Sequence, residues 1–131
     1  VQAEIAQMVQ QEAGGSIVNT ASICGLVALP HATAYNSAKH GVIGLTKSAA
    51  VEYGPKKIRV NAVCPGFIDT PMLAKGAGAS QEILDGVVRQ LPIRRIADPS
   101  EVADVVAWLM SPHSSYVTGV AMPIDGGWTA Q

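Results

Sequence analysis

The chain has 131 residues, 15% of them charged and 48% hydrophobic, and its formal net charge is −1. That length suits one domain and excludes two. The scattered Lys and Arg residues give no electrostatic footprint for nucleic acid. No apolar run reaches the roughly 18 residues a bilayer span needs, and nothing at the N-terminus reads as a secretory signal. Cys24 and Cys64 are the only cysteines. With no CxxC spacing they read as buried, reduced thiols in a cytoplasmic protein, and no metal-ligand set is expected. Charged residues fall below the ~25% usual for soluble domains, so part of the surface is expected to be covered by a further domain, a second copy, or both.

Val1, Ile5, Met8 and Val9 lie on one helical face, and Gly14-Gly15 should end that helix. Residues 16–22 (Ser-Ile-Val-Asn-Thr-Ala-Ser) read as a strand, and residues 23–31 as a loop punctuated by Gly25 and Pro30. A long helix is predicted over residues 33–53. Gly54 is expected in a left-handed cap and Pro55 as a stop. Ser37, Gly41, Gly44 and Ser48 fall on one face of this helix. Interior glycine costs about 1 kcal/mol relative to alanine, so this face is expected to pack closely, inside the protomer or across a dimer. A second strand covers residues 58–64 and stops at Pro65-Gly66.

Residues 69–95 form a long glycine-containing stretch with weak helical segments, the pattern of a lid. Arg89, Arg94 and Arg95 within it read first as solvated surface charge and second as a way to attract an acidic substrate group. Asp98-Pro99-Ser100-Glu101 opens a helix with a capping box, whose apolar stripe is Val102, Val105, Val106 and Leu109. A third strand follows at residues 120–124, then an Asp125-Gly126-Gly127 turn. Strands alternating with helices imply right-handed crossovers and a parallel sheet. The expectation is a single partial α/β domain over residues 1–131, the C-terminal part of a Rossmann-like doubly wound parallel sheet, with three parallel strands and flanking helices.

Tyr35 and Lys39, four apart on a helix, project from one face. An ammonium beside a phenol stabilises the phenolate, which suits proton exchange with a hydroxyl or carbonyl near neutral pH. Ser22 closes a strand at the edge where open parallel sheets bind ligands, and its hydroxyl could donate to a carbonyl oxygen there. Alone, each feature has a bland reading: a solvated pair, or a serine capping its loop.

Asn19-Thr20-Ala21-Ser22-Ile23-Cys24-Gly25, Tyr35-Asn36-Ser37-Ala38-Lys39, Asn61-Ala62-Val63-Cys64-Pro65-Gly66 with Thr70, and Asp125-Gly126-Gly127 together resemble the short-chain dehydrogenase/reductase family, over essentially the whole chain. The resemblance implies an oxidoreductase that transfers hydride between NAD or NADP and a small-molecule alcohol or carbonyl substrate. It assigns Tyr35 as general acid/base, Lys39 as its electrostatic partner and a ligand of the nicotinamide ribose, and Ser22 as the group orienting the substrate. Pro65 and Gly66 would pass close to the nicotinamide, and the Ile68 backbone and the Thr70 hydroxyl would hold its carboxamide. Cys24 and Phe67 would border the substrate pocket. The resemblance also implies a homo-oligomer, dimer or tetramer, paired through the first and second helices.

The sequence departs from the family pattern in one large respect. No Gly-x-Gly-x-x-Gly follows a strand, and Gly76-Ala77-Gly78 sits in the lid with no third glycine. The residue that selects NAD or NADP, and the helix asparagine of the family, have no counterpart either. The expectation is therefore a catalytic half without its phosphate cradle, which alone binds cofactor weakly or not at all. The alternative is a non-catalytic remnant serving as a helix-mediated association module. A methyltransferase-like α/β enzyme would not explain Ser22, Tyr35 and Lys39 together. The lid leaves secondary alcohols, sugars, steroids and 3-oxoacyl thioesters open as substrates.

Overall fold

A computed structural model describes residues 1–76 and 80–131. The order is α1 (Gln2–Met8), β1 (Gly15–Thr20), α2 (Thr33–Tyr53), β2 (Ile58–Pro65), α3 (Pro71–Gly76), α4 (Gln81–Gln90), α5 (Pro99–Met110) and β3 (Ala121–Ile124). The strands pair in the order β1-β2-β3, both pairs parallel, with Gly15 opposite Ile58 and Ala62 opposite Ala121.

The period-2 alternation of a strand sorts β2 between two layers. Ile58 and Val60 join Ile5, Ile17, Ala49 and Ala50 in one buried cluster, and Ala62 and Cys64 join Ala21 and Ile43 in another. These clusters seat α1 and α2 on one face of the sheet. The intervening residues serve the α5 side. Arg59 donates to Leu109 O at 2.9 Å and Ser111 O at 3.2 Å, both at the C-terminal end of α5, and to Val117 O at 3.2 Å. Asn61, fully buried, donates to Val117 O at 2.9 Å and accepts from Val120 N–H at 3.1 Å. Helices therefore cover both faces, as a doubly wound sheet requires.

Two local expectations change. Gly54 is right-handed (φ −52°) and opens a short 3-10 turn, while Lys57 takes the left-handed conformation (φ 60°) that reverses the chain into β2. Gly14 (φ +70°) is the glycine its site demands, since a Cβ there would lie 2.2 Å from Lys57 O. The lid holds two defined helices, α3 and α4, the second capped by the Ser80 hydroxyl accepting from Ile83 N–H at 3.3 Å. Of the Gly76-Ala77-Gly78 run, Gly76 is the last described residue of α3 and the other two lie outside the described residues. The capping box of α5 forms as read: Asp98 accepts from Ser100 N–H at 2.8 Å and Glu101 accepts from Asp98 N–H at 2.9 Å.

Ser37, Gly41, Gly44 and Ser48 are exposed, and a Cβ built at either glycine would meet nothing within 4 Å. No described residue packs on this face at either glycine. Leu45 (50% exposed) and Val51 (81%) extend the same helix's apolar exposure. No helix among the described residues is long and apolar enough to cross a membrane.

Candidate active site

Three segments lie beyond the carboxyl ends of the strands. The first leaves β1. Ala21 N–H still reaches Val63 O at 2.8 Å, so Ser22 is the first residue past the ladder. It begins a 3-10 turn, Ile23–Gly25, and its Oγ accepts from Cys24 N–H at 3.2 Å. The hydroxyl caps its loop, as the bland reading held, but this uses a lone pair and keeps the hydrogen free to donate. Ser22 is 8% exposed.

The second segment is the start of α2. Gly25 lets the turn press onto it: a Cβ there would sit 2.7 Å from Lys39 O and 2.8 Å from Ile43 Cδ1. Lys39 Nζ donates to Thr20 O at 3.0 Å, at the last residue of β1, and stands 5.5 Å from the Tyr35 ring centroid. The ammonium is thus anchored between the end of the strand that delivers Ser22 and the Tyr35 ring. Asn36 fastens the intervening loop, donating to Leu29 O at 2.9 Å and accepting from Leu29 N–H at 3.5 Å. Its place beside Tyr35 after a long loop was the available signal for this role, and sequence reading passed over it. Tyr35 itself is 43% exposed, open to an incoming molecule.

The third segment leaves β2. Gly66 N–H donates to Ile124 O at 3.0 Å, and a Cβ on Gly66 would lie 2.9 Å from Asp125 Cα. Close passage of two backbones is therefore a second reason for glycine at this position. Beyond it, Phe67 O accepts from Ala97 N–H at 3.1 Å, and Asp69 N–H donates to Ala97 O at 2.9 Å. In this parallel bridge both flanking groups point to Ala97, so the N–H and C=O of Ile68 face the opposite way. There the Thr70 hydroxyl donates to Ile68 O at 3.3 Å. A peptide N–H turned out of its bridge beside a hydroxyl is a pair of groups able to meet a carboxamide.

Cys24 is 4% exposed, so its side chain packs inward. Cys64 is fully buried below Ser22, and burial pushes its thiol up from the ordinary range, with the Ser22 N–H and Lys39 opposing and Asp125 reinforcing that shift. Phe67 stacks edge-on against Trp128, centroids 5.1 Å apart, and lines a cavity of about 320 Å³ that contains none of Ser22, Tyr35 and Lys39. Of the lid arginines, Arg95 grips Glu101 with two contacts of 2.7 Å, and Arg94 donates to Arg89 O. The Arg95 charge is thus already matched by a carboxylate.

The family model described as enoyl-(acyl carrier protein) reductase matches residues 1–129. The cyclohexanol dehydrogenase of Acinetobacter sp. (strain SE19) is 48% identical over 118 residues, 90% of this chain and 45% of that protein. Levodione reductase superposes with a TM-score of 0.90 at 40% identity, over 94% of this chain and 49% of that one. A 4-hydroxyisoleucine dehydrogenase complexed with NADH gives 0.90 at 34% identity, over 97% and 52%. The chain thus spans about half the length of the relatives it matches. Motifs, fold and relatives agree: this chain belongs to the short-chain dehydrogenase/reductase family.

Proposed function

We propose that this chain carries the acid–base and nicotinamide-end machinery of an oxidoreductase that acts on a small alcohol or carbonyl compound. The observation that carries the reading is the anchoring of Lys39 Nζ between Thr20 O at 3.0 Å and the Tyr35 ring at 5.5 Å, on the edge where β1 delivers Ser22. Ser22, with a hydrogen to give, orients the substrate oxygen. Tyr35 gives a proton to that oxygen during reduction and takes it back during oxidation. The Lys39 ammonium stabilises negative charge as it develops on the phenol oxygen.

The residues present fit the nicotinamide end of NAD or NADP. Ile68 N–H and Thr70 Oγ1 would hold the carboxamide, and Lys39 and Tyr35 would meet the ribose. Pro65 and Gly66 would bring backbone close to the ring. The family resemblance puts Cys24 and Phe67 at the border of the substrate pocket, but Cys24 packs inward and Phe67 lines a separate cavity beside Trp128, so neither side chain supports this reading. When bound, the cofactor supplies the hydride chemistry. NAD and NADP differ at the far end of the dinucleotide, which these residues do not reach.

The same reading gives the open α2 face a partner. Two copies pairing across a two-fold axis would bring each Gly41 and Gly44 against its counterpart, an isologous contact. Sedimentation of the 131-residue chain is expected to show a dimer or larger assembly at micromolar concentration; a monomer would contradict the pairing.

To test the catalytic reading, this chain is fused behind the glycine-rich half of the cyclohexanol dehydrogenase. The fusion is expected to oxidise a secondary alcohol with NAD or NADP, while the 131-residue chain alone shows little turnover because remote contacts help position the reacting centre. A folded, cofactor-binding fusion without turnover would overturn the reading in favour of an association module.

A further inference from the structure

The sequence shows Asp125-Gly126-Gly127 as a turn and as one motif of the family resemblance, with no role given to its side chains. In the fold it touches two segments that matter to the site. Asp125 shapes the turn with three bonds to its carboxylate: Gly127 N–H to Oδ1 at 3.0 Å, and to Oδ2 both Thr129 N–H at 2.9 Å and Thr129 Oγ1 at 2.6 Å. Gly126 and Gly127 take positive φ of 62° and 87°, a reversal that L side chains adopt rarely. The turn brings Trp128 edge-on to Phe67 and lays the Asp125 backbone against Gly66. On its other side Gly126 O accepts from Ile93 N–H at 3.0 Å, and Gly127 packs on the Pro92 ring.

Gly66 and Phe67 immediately precede Ile68. Ala97 fixes Phe67 O and Asp69 N–H from one side; Trp128 and Asp125 fix the Gly66-Phe67 end from the other. The direction in which Ile68 N–H points is set between these two supports. We propose that Asp125 and Trp128 are positioning residues: the C-terminal turn they build holds the Gly66–Ile68 segment in the shape that receives the nicotinamide carboxamide, and it joins that segment to the end of the lid. This rests on the cofactor reading above. Neither residue touches the cofactor in this account; both act through Gly66 and Phe67.

The test uses the 131-residue chain and reduced nicotinamide mononucleotide, the part of the cofactor this segment would meet, with fluorescence anisotropy as readout. Trp128→Ala is expected to weaken binding about three- to tenfold, the size of one lost aromatic contact. Trp128→Phe, which keeps a ring for Phe67, is expected to restore affinity to within about twofold of the parent. Asp125→Ala is expected to weaken binding at least as much, and circular dichroism reports whether the folded fraction is unchanged. A merely structural role would lower the melting temperature and leave the affinity of folded protein intact, which would overturn the proposal. So would equal affinities for parent and Trp128→Ala. If the 131-residue chain does not bind the mononucleotide, the same comparison is made on the fusion protein with NADH or NADPH, where no binding by the parent overturns the cofactor reading and the positioning role with it.

Discussion

The two edges of the sheet treat hydrogen-bonding capacity in opposite ways. At the amino edge, capacity is consumed. Leu109 O, near the end of α5, accepts from Ser16 Oγ at 3.0 Å, Arg59 Nη2 at 2.9 Å and Ser114 Oγ at 2.9 Å. The Arg59 charge also faces the negative end of the helix dipole, where a cation is favoured. At the carboxyl edge, capacity is kept open: a serine hydrogen beyond its cap, an exposed tyrosine, and an Ile68 N–H turned out of its bridge. One edge spends polar groups on joining α5 to β1 and β2, and the other holds them ready for a ligand. Stability and chemistry should therefore separate on mutation.

The largest expected effect breaks the carboxyl edge alone. In the fusion protein, Tyr35→Phe should lower kcat by about 10²–10⁴-fold, the usual worth of a positioned acid/base, with the melting curve unmoved. Steady-state rates beside circular dichroism check this, and retained turnover would assign the proton transfer elsewhere.

Gly66→Ala is expected to affect both properties. Its new Cβ would press on the Asp125 backbone at 2.9 Å, where overpacking costs about 1–3 kcal/mol. Chemical denaturation should show that loss, and the affinity for reduced nicotinamide mononucleotide should fall with it. Unchanged stability would mean that the two backbones separate easily.

Arg59→Met breaks the amino edge. Three carbonyls lose their guanidinium donor, at a cost of about 1–3 kcal/mol. The melting temperature should drop while kcat of the folded fusion protein stays within about twofold. A matching fall in kcat would show that the edges are not separable.

The smallest effect lies at the rim of the lid. Arg95, and then the Asp98 N–H, hold the Glu101 carboxyl down at about 2 from an ordinary 4.5. A depressed carboxyl stabilises the fold above its unfolded value and loses that contribution as pH falls through its folded value. Melting temperature should therefore decline slightly from about pH 4.5 toward pH 2, and Glu101→Gln should flatten that part of the curve. Both partners are exposed, so the shift is small; identical curves for parent and variant would mean the pair contributes nothing.

What was legible in the sequence follows the range of the interaction. Helix α2 ran from Thr33 to Tyr53 as read, because its spacing and the Gly54-Pro55 pair that follows it are local signals. The strands were found from β-branched runs, within one or two residues at each end. Tyr35 and Lys39 share a face by helical spacing alone. Other features depend on distant partners. Arg59 finds its carbonyls 50 to 58 residues away, so nothing near it announced a clamp. Gly54 looked like the left-handed cap, yet the reversal falls on Lys57, whose carbonyl sits against Gly14. Gly66 was legible as a stop, but its crowding by Asp125 was not. The lid read as weakly helical because α4 has Gly86 in its middle.

The central claim is that a ligand belongs at the carboxyl edge and nowhere near the amino edge. The most direct measurement is an amide ¹⁵N–¹H chemical-shift titration of the fusion protein with NADH or NADPH. The expected result is saturating shifts at Ser22, Lys39, Gly66, Ile68 and Thr70, with Ser16, Arg59, Leu109 and Ser111 unmoved. Shifts centred on the amino edge, or none at any residue up to millimolar ligand, would contradict it.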